Sequence, residues 1–221
     1  MSSPNDGPPI ASIRTAQDFA QTFDVSRETL ECFEVFEDLL RQWQGIKNLV
    51  AANSLDDVWL RHFADSAQLL ALKPNAQKWL DLGTGAGFPG MVLAILLRND
   101  SAARVTVVES NGRKCAFLRD VARQTGVAVD IVSDRIESVA EHRSLAGVEV
   151  VTARALAPLG KLLGYAAPFF SASTSGLFLK GRDALKEIKA ARKDWRFEVE
   201  LHPSLTDGNG RIVEIRKLGS I

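Results

Sequence analysis

Four glycines in eight residues, Gly83, Gly85, Gly87 and Gly90, follow the apolar run Trp79-Leu80-Asp81-Leu82 and precede the apolar segment 91–97. A glycine turn between a strand and a helix brings backbone N–H groups close to a ligand where a Cβ would collide. It is the way α/β proteins hold nucleotide-like molecules. Two ligand chemistries fit. Gly85-x-Gly87-x-x-Gly90 has the spacing of dinucleotide-binding turns. Asp81-x-Gly83-x-Gly85-x-Gly87 has that of turns that bind S-adenosylmethionine (SAM), and it accounts for more of the residues. Glu109 ends the next apolar run, 24 residues after Gly85. An acid there accepts hydrogen bonds from ribose hydroxyls, which both ligands carry.

Further residues could complete such a site. Ile136 and Glu137 follow a third apolar run, where an apolar side chain and a backbone N–H can read an adenine ring. Arg154 follows a fourth run, and an Arg at the end of a central strand points into the ligand crevice. It could pair with a SAM carboxylate, an RNA phosphate or a neighbouring acid. His62, Asp65 and Ser66 share a helix face in the segment RHFADS at 61–66. Ser-His-Asp relays draw on separate elements, so a structural hydrogen-bond cluster is the better reading. His142 and His202 have no evident partners. Arg182, Lys186, Lys189, Lys193 and Arg196 recur at spacings of 4, 3, 4 and 3, beside Lys180 and Arg192. They form either a phosphate track or a solvated charged face.

The elements that position these residues follow from hydrophobic periodicity. Helices are expected over 26–43, capped by Ser26, and over 54–72, capped by Ser54. No β signal precedes Lys78. Strands at 79–82, 104–108, 127–132, 148–152 and 176–180 then alternate with helices at 88–98, 112–125, 136–142, 159–169 and 182–193. Pro89 suits the first helical turn. Strands 197–201 and 211–216 close the chain as an antiparallel pair around Asp207-Gly208-Asn209-Gly210. This predicts a mostly parallel seven-stranded sheet with helices on both faces, the Rossmann-like α/β fold of class I SAM-dependent methyltransferases. The expected organisation is a disordered tail at 1–12, a helical extension at 13–75 packed on the core, and a methyltransferase domain at 76–221.

Composition narrows the partners. With 27 basic and 27 acidic residues there is no overall basic field, so an RNA-binding surface must be local. Cys32 and Cys115 lie far apart and read as free thiols in a reducing cytoplasm. The N-terminus lacks a secretory pattern, and no apolar run is long enough to span a bilayer. No metal-ligand cluster is evident.

The chain resembles the ribosomal small-subunit methyltransferase G family, also called glucose-inhibited division protein B. The matching blocks are Trp43 with Asn48-Leu49, RHFADS at 61–66, WLDLGTGAGFPG at 79–90 and VVES at 107–110. They continue through Lys114, Phe117-Leu118, Arg135-Ile136-Glu137, TARAL at 152–156 and Leu179-Lys180-Gly181. Arg113 and Ala67 depart from residues common in the family. The resemblance implies SAM-dependent methylation of N7 of guanine 527 in 16S rRNA, in the cytoplasm. The small ribosomal subunit or an assembly intermediate would be the partner, with no metal, membrane or obligate protein partner. It places SAM contacts on Gly83, Phe88, Ile136, Glu137 and Arg154, with Asp81, Gly85 and Glu109 in the same pocket. Guanine N7 attacks through a lone pair without losing a proton, so no general base is assigned. Arg61, His62, Lys180, Arg182, Lys186, Lys189 and Lys193 are the candidates for the RNA side, with Phe88 beside them. An NAD-dependent oxidoreductase and a non-catalytic RNA-binding protein are the alternatives.

Overall fold

The computed structural model describes residues 10–45, 49–51, 54–139 and 145–221. Asn48, His142 and residues 1–9 of the expected tail lie outside these. Ile10–Ser12 form a 3-10 turn, followed by α1 (Ala16–Phe23). The sequence reading missed α1. It is only eight residues long, and its start is set by a capping box: the Thr15 hydroxyl accepts from Asp18 N–H while the Asp18 carboxylate accepts from Thr15 N–H. In α2 (Arg27–Gln44) the Ser26 hydroxyl accepts from Thr29 N–H, the expected cap.

The expected helix over 54–72 is different in kind. A π-helical turn, Trp59–Ala64, runs into α3 (Asp65–Leu72). Ser54 does not cap it. Its hydroxyl donates to the Ala51 carbonyl and lies 2.9 Å from His62 Nε2.

The remaining elements alternate as expected: β1 (Lys78–Leu82), α4 (Gly90–Leu96), β2 (Arg104–Val108), α5 (Gly112–Thr125), β3 (Asp130–Val132), α6 (Ile136–Val139), β4 (Val150–Arg154), α7 (Leu159–Ala166), β5 (Ser175–Lys180) and α8 (Ala184–Ala191). The closing pair is β6 (Trp195–Pro203) and β7 (Arg211–Ser220), both longer than expected. The part of the expected 136–142 helix beyond Val139 falls outside the described residues. Pro89 precedes α4 at its cap position, after a cis peptide bond with Phe88. Helix α8 is shorter than 182–193, so Arg182 and Lys193 flank it and Arg196 belongs to β6.

The sheet order is β3-β2-β1-β4-β5-β7-β6, parallel except for β7, which pairs antiparallel with both β5 and β6. Strand β1 therefore pairs with β2 on one side and β4 on the other. Successive crossovers diverge there, and the loops at the carboxyl ends of β1 and β4 part to leave a crevice. One face of the sheet shares an apolar core with α4, α5 and the N-terminal helices, and α7 and α8 cover the other. The extension is joined to that core by aromatic rings. Phe36 of α2 stacks on Phe88 at 5.3 Å and also meets Phe63 and Phe117.

Because the fully buried Phe36 touches the extension, the glycine turn and α5, Phe36→Ala should destabilise the whole protein by about 3–5 kcal/mol. Urea unfolding should show one transition at a lower midpoint. A loss below about 1 kcal/mol, or a separate early transition of the helices, would contradict a shared core.

Candidate functional site

Two cavities open at the carboxyl ends of the parallel strands. The smaller, about 440 Å³, is lined by Gly83, Gly85, Glu109, Ile136, Glu137 and Tyr165, among others. The larger, about 1030 Å³, is a cleft between the 57–65 segment, the ends of β4 and β5, and the loop joining β6 to β7. Ala155 and Leu156 line both, so the two cavities meet across these residues.

The glycine turn is shaped by close packing. Gly83 has φ +65°, and a Cβ there would lie 2.5 Å from Leu156 Cδ1. At Gly90 a Cβ would collide with Val107 and Asp81. Asp81 itself does not line either cavity. It is 1% exposed, its carboxylate accepting from Gly90 N–H (2.9 Å) and the Thr152 hydroxyl (2.9 Å). Burial pushes its pKa up to about 6 against those hydrogen bonds. Asp81 thus ties β1 to β4 and to the start of α4.

Glu109 does line the smaller cavity. Its carboxylate accepts from Gly85 N–H (3.0 Å) and Asn111 N–H (2.8 Å), one bond to each oxygen. Each oxygen has a second lone pair free to accept from a hydroxyl. With Ile136, Glu137 and Tyr165 across the cavity, these residues fit an adenosine: acceptors for the ribose, apolar surface for the base.

Arg154 lies at the end of β4 and lines the larger cleft. It is paired to a neighbouring acid. One guanidinium nitrogen donates to Asp65 (3.3 Å) and the Arg61 carbonyl (2.9 Å), and the other to His62 Nδ1 (2.7 Å). Phe88 is 3% exposed, lying beneath the Arg154 guanidinium and stacked on His62 at 4.7 Å. Its ring is therefore a support for Arg154. It lines neither cavity and presents no stacking face to RNA.

Because a guanidinium only donates, His62 Nδ1 must accept, and Nε2 carries the proton toward Ser54. Burial, then the charges of Arg154 and Arg61, push the His62 pKa down to about 3. His62, Asp65 and Ser66 form no relay: the Ser66 hydroxyl donates to the His62 carbonyl.

Of the basic candidates, Arg61 is exposed at the cleft. Lys180 is not available in the same way, since its ammonium donates to the Ala157 carbonyl and to Glu187. Arg182, Lys186, Lys189 and Lys193 are exposed on and around α8. His202, expected to lack a partner, pairs with Glu214 at 2.9 Å. Sequence reasoning passed over Leu156, Tyr165 and Thr206. Leu156 sits in the TARAL block, the one signal that could have marked it; Tyr165 and Thr206 carry none.

Solved methyltransferases share this architecture. The S-adenosylhomocysteine-bound methyltransferase of Podospora anserina superposes with a TM-score of 0.60 at 13% identity, over 87% of this chain and 88% of that one. The Bacillus cereus O-methyltransferase, also S-adenosylhomocysteine-bound, gives 0.58 at 14% identity, over 83% and 91%. The fold is that of SAM-dependent methyltransferases. The family model described as rRNA small subunit methyltransferase G matches residues 29–213. Proteins named ribosomal RNA small subunit methyltransferase G from Methylorubrum populi and Parvibaculum lavamentivorans are each 48% identical, over 198 and 204 residues. The alignments cover 90% and 92% of this chain, and 93% and 89% of those proteins. The chain belongs to this methyltransferase family.

The depressed His62 pKa has a sign that can be tested. In the unfolded chain the imidazole takes a proton below its ordinary value of 6.5, whereas in the folded protein it stays neutral to about 3. Stability from this residue is complete above pH 6.5 and is lost as pH falls toward 3. His62→Phe removes that dependence, so the stability gap between wild type and variant should narrow by about 1.4 kcal/mol per pH unit below 6. Denaturant titrations of both proteins at several pH values measure it. A gap independent of pH would show that His62 titrates normally in the folded state.

Proposed function

We propose that this enzyme transfers the methyl group of SAM to N7 of guanine 527 in 16S rRNA, acting in the cytoplasm on the small ribosomal subunit or a precursor of it. The observation that carries the reading is the meeting of the two cavities at Ala155 and Leu156. An adenosine-sized cavity with a ribose acceptor adjoins, across these two residues, a cleft large enough for a nucleotide. SAM supplies a methyl group on a positively charged sulfur. Glu109 holds the ribose, Gly83 and Gly85 let the ligand approach the backbone, and Ile136 and Glu137 border the adenine. Arg154 lies on the cleft side of the boundary, where it can meet the carboxylate of the cofactor. Asp81 and Phe88 support the pocket from behind.

The chain's own groups orient and do not abstract. The N7 lone pair of guanine is the nucleophile, and no proton leaves with it. The His62 lone pair is committed to Arg154 and the Asp65 carboxylate to Arg154, Gln68 and Thr206. Rate then comes from alignment. Arg61 at the cleft, and Arg182, Lys186, Lys189 and Lys193 around α8, give a protein with no net charge a local positive surface for RNA phosphates.

The test offers labelled SAM with unmodified 16S rRNA and with small subunits, followed by nucleoside analysis. Label should appear in 7-methylguanosine at one position; label in another nucleoside would refute the guanine N7 assignment. Gly83→Val should abolish SAM binding in a folded protein. Lys186→Glu with Lys189→Glu should leave SAM affinity unchanged, weaken RNA binding, and reduce the salt dependence of that binding by about two phosphate contacts. Unaltered RNA affinity would remove α8 from the RNA surface.

A further inference from the structure

Arg154 is held almost entirely by the helical extension. Asp65, the Arg61 carbonyl and His62 Nδ1 all come from one short stretch, and they occupy three of the five guanidinium N–H groups. The Nε–H and one Nη2–H have no hydrogen-bond partner among the described residues. The stretch is built for this contact. In an α-helix the Asp65 N–H would bond the Arg61 carbonyl. Here the π-helical turn sends the Asp65 N–H to Leu60 and His62, and the Arg61 carbonyl accepts from Arg154. Single π turns of this kind recur at functional sites.

The partners of Arg154 are themselves fixed. His62 is stacked on Phe88, with its far nitrogen donating to Ser54. The other Asp65 oxygen accepts from Thr206 (2.7 Å), in the loop between β6 and β7, and from Gln68 (2.9 Å). The Phe88 ring limits the tilt of the guanidinium from below, at 4.9 Å.

We propose that His62 and Asp65 are positioning residues for the cofactor: they orient Arg154 so that its two remaining N–H groups meet the carboxylate of the methionine moiety. The inference rests on the reading above in which Arg154 takes that carboxylate. It also gives the RH-x-x-D segment of the extension a role in cofactor binding, although none of its side chains lines the adenosine cavity.

The test compares two ligands by calorimetry. S-adenosylhomocysteine carries the amino-acid carboxylate, and 5′-methylthioadenosine keeps the adenosine and thioether but lacks it. Arg154→Gln, the reference variant, should weaken S-adenosylhomocysteine selectively. Asp65→Asn and His62→Phe, the latter preserving the stack on Phe88, should each weaken S-adenosylhomocysteine about tenfold and methylthioadenosine less than twofold. Either change made on top of Arg154→Gln should add nothing, and His62→Asn, which restores an acceptor, should recover part of the loss. Thr206→Val, which frees Asp65 on its far side only, should show a smaller loss of the same selectivity and serves if Asp65→Asn does not fold.

Equal weakening of both ligands by Asp65→Asn and His62→Phe would overturn the proposal and leave the two residues a purely structural part. So would a full additional loss on the Arg154→Gln background. If Arg154→Gln itself fails to distinguish the two ligands, the premise that Arg154 meets the carboxylate falls, and the proposal with it.

Discussion

A buried carboxylate at the strand crossover is the constraint on which the site depends. Asp81 sits at the point where β1 has β2 on one side and β4 on the other, and its two oxygens reach Gly90 N–H and the Thr152 hydroxyl. Those bonds span the three elements that bound the crevice. Burying the group is costly, as its raised pKa records, and hydrogen bonds offset only part of that cost. The return is geometric. With Gly90 pinned to Asp81 and Gly85 N–H pinned to Glu109, the glycine turn is anchored at both ends before any ligand arrives. A cradle fixed in advance need not be ordered on binding, and that ordering would otherwise reduce affinity.

The helical extension is part of the same construction. Its aromatic residues Phe33, Phe36 and Phe63 pack with Phe88 and Phe117, so the floor of the glycine turn and the wall of the cleft belong to one core. On the polar side it delivers the Arg61 carbonyl, His62 and Asp65 to Arg154. One face of the extension therefore buries the turn while the next face, around the π-helical bend, holds the cation at its mouth. An extension attached only by surface contacts could do neither, because both tasks need side chains fixed by packing.

The alternation of β-branched runs with amphipathic segments made the sheet legible, since strand and helix periods differ and each parallel strand is followed by its helix. Strand order, and with it the crevice between β1 and β4, depends on which strands pair and is not encoded in that alternation. The glycine turn and Glu109 were legible because their spacing is itself the constraint. Other features live in tertiary contacts that no local pattern encodes. Asp81 reads as a ligand acid, yet its neighbours in space, Thr152 and Gly90, turn it into a clamp. Lys180 reads as part of a basic run, yet Glu187, one β5–α8 connection away, neutralises it. The π-helical turn is invisible because Trp59 and Phe63 fit an α-helical spacing equally well. Helix α1 was missed because eight residues carry too little periodicity to outweigh a polar context.

The polar groups in the cleft are bound to one another in a way that matches the chemistry asked of them. A base catalyst needs a free lone pair and a pKa near the working pH. His62 has neither: its accepting nitrogen is taken by Arg154, and burial beside two cations holds its pKa near 3. Asp65 is shared among a cation, an amide and a hydroxyl. Such a network is good at holding a guanidinium still. An acceptor atom that attacks through its own lone pair requires only that property. The same residues with the His62 lone pair free would look like an acid–base centre. The direction of each hydrogen bond, read donor to acceptor, distinguishes the two cases.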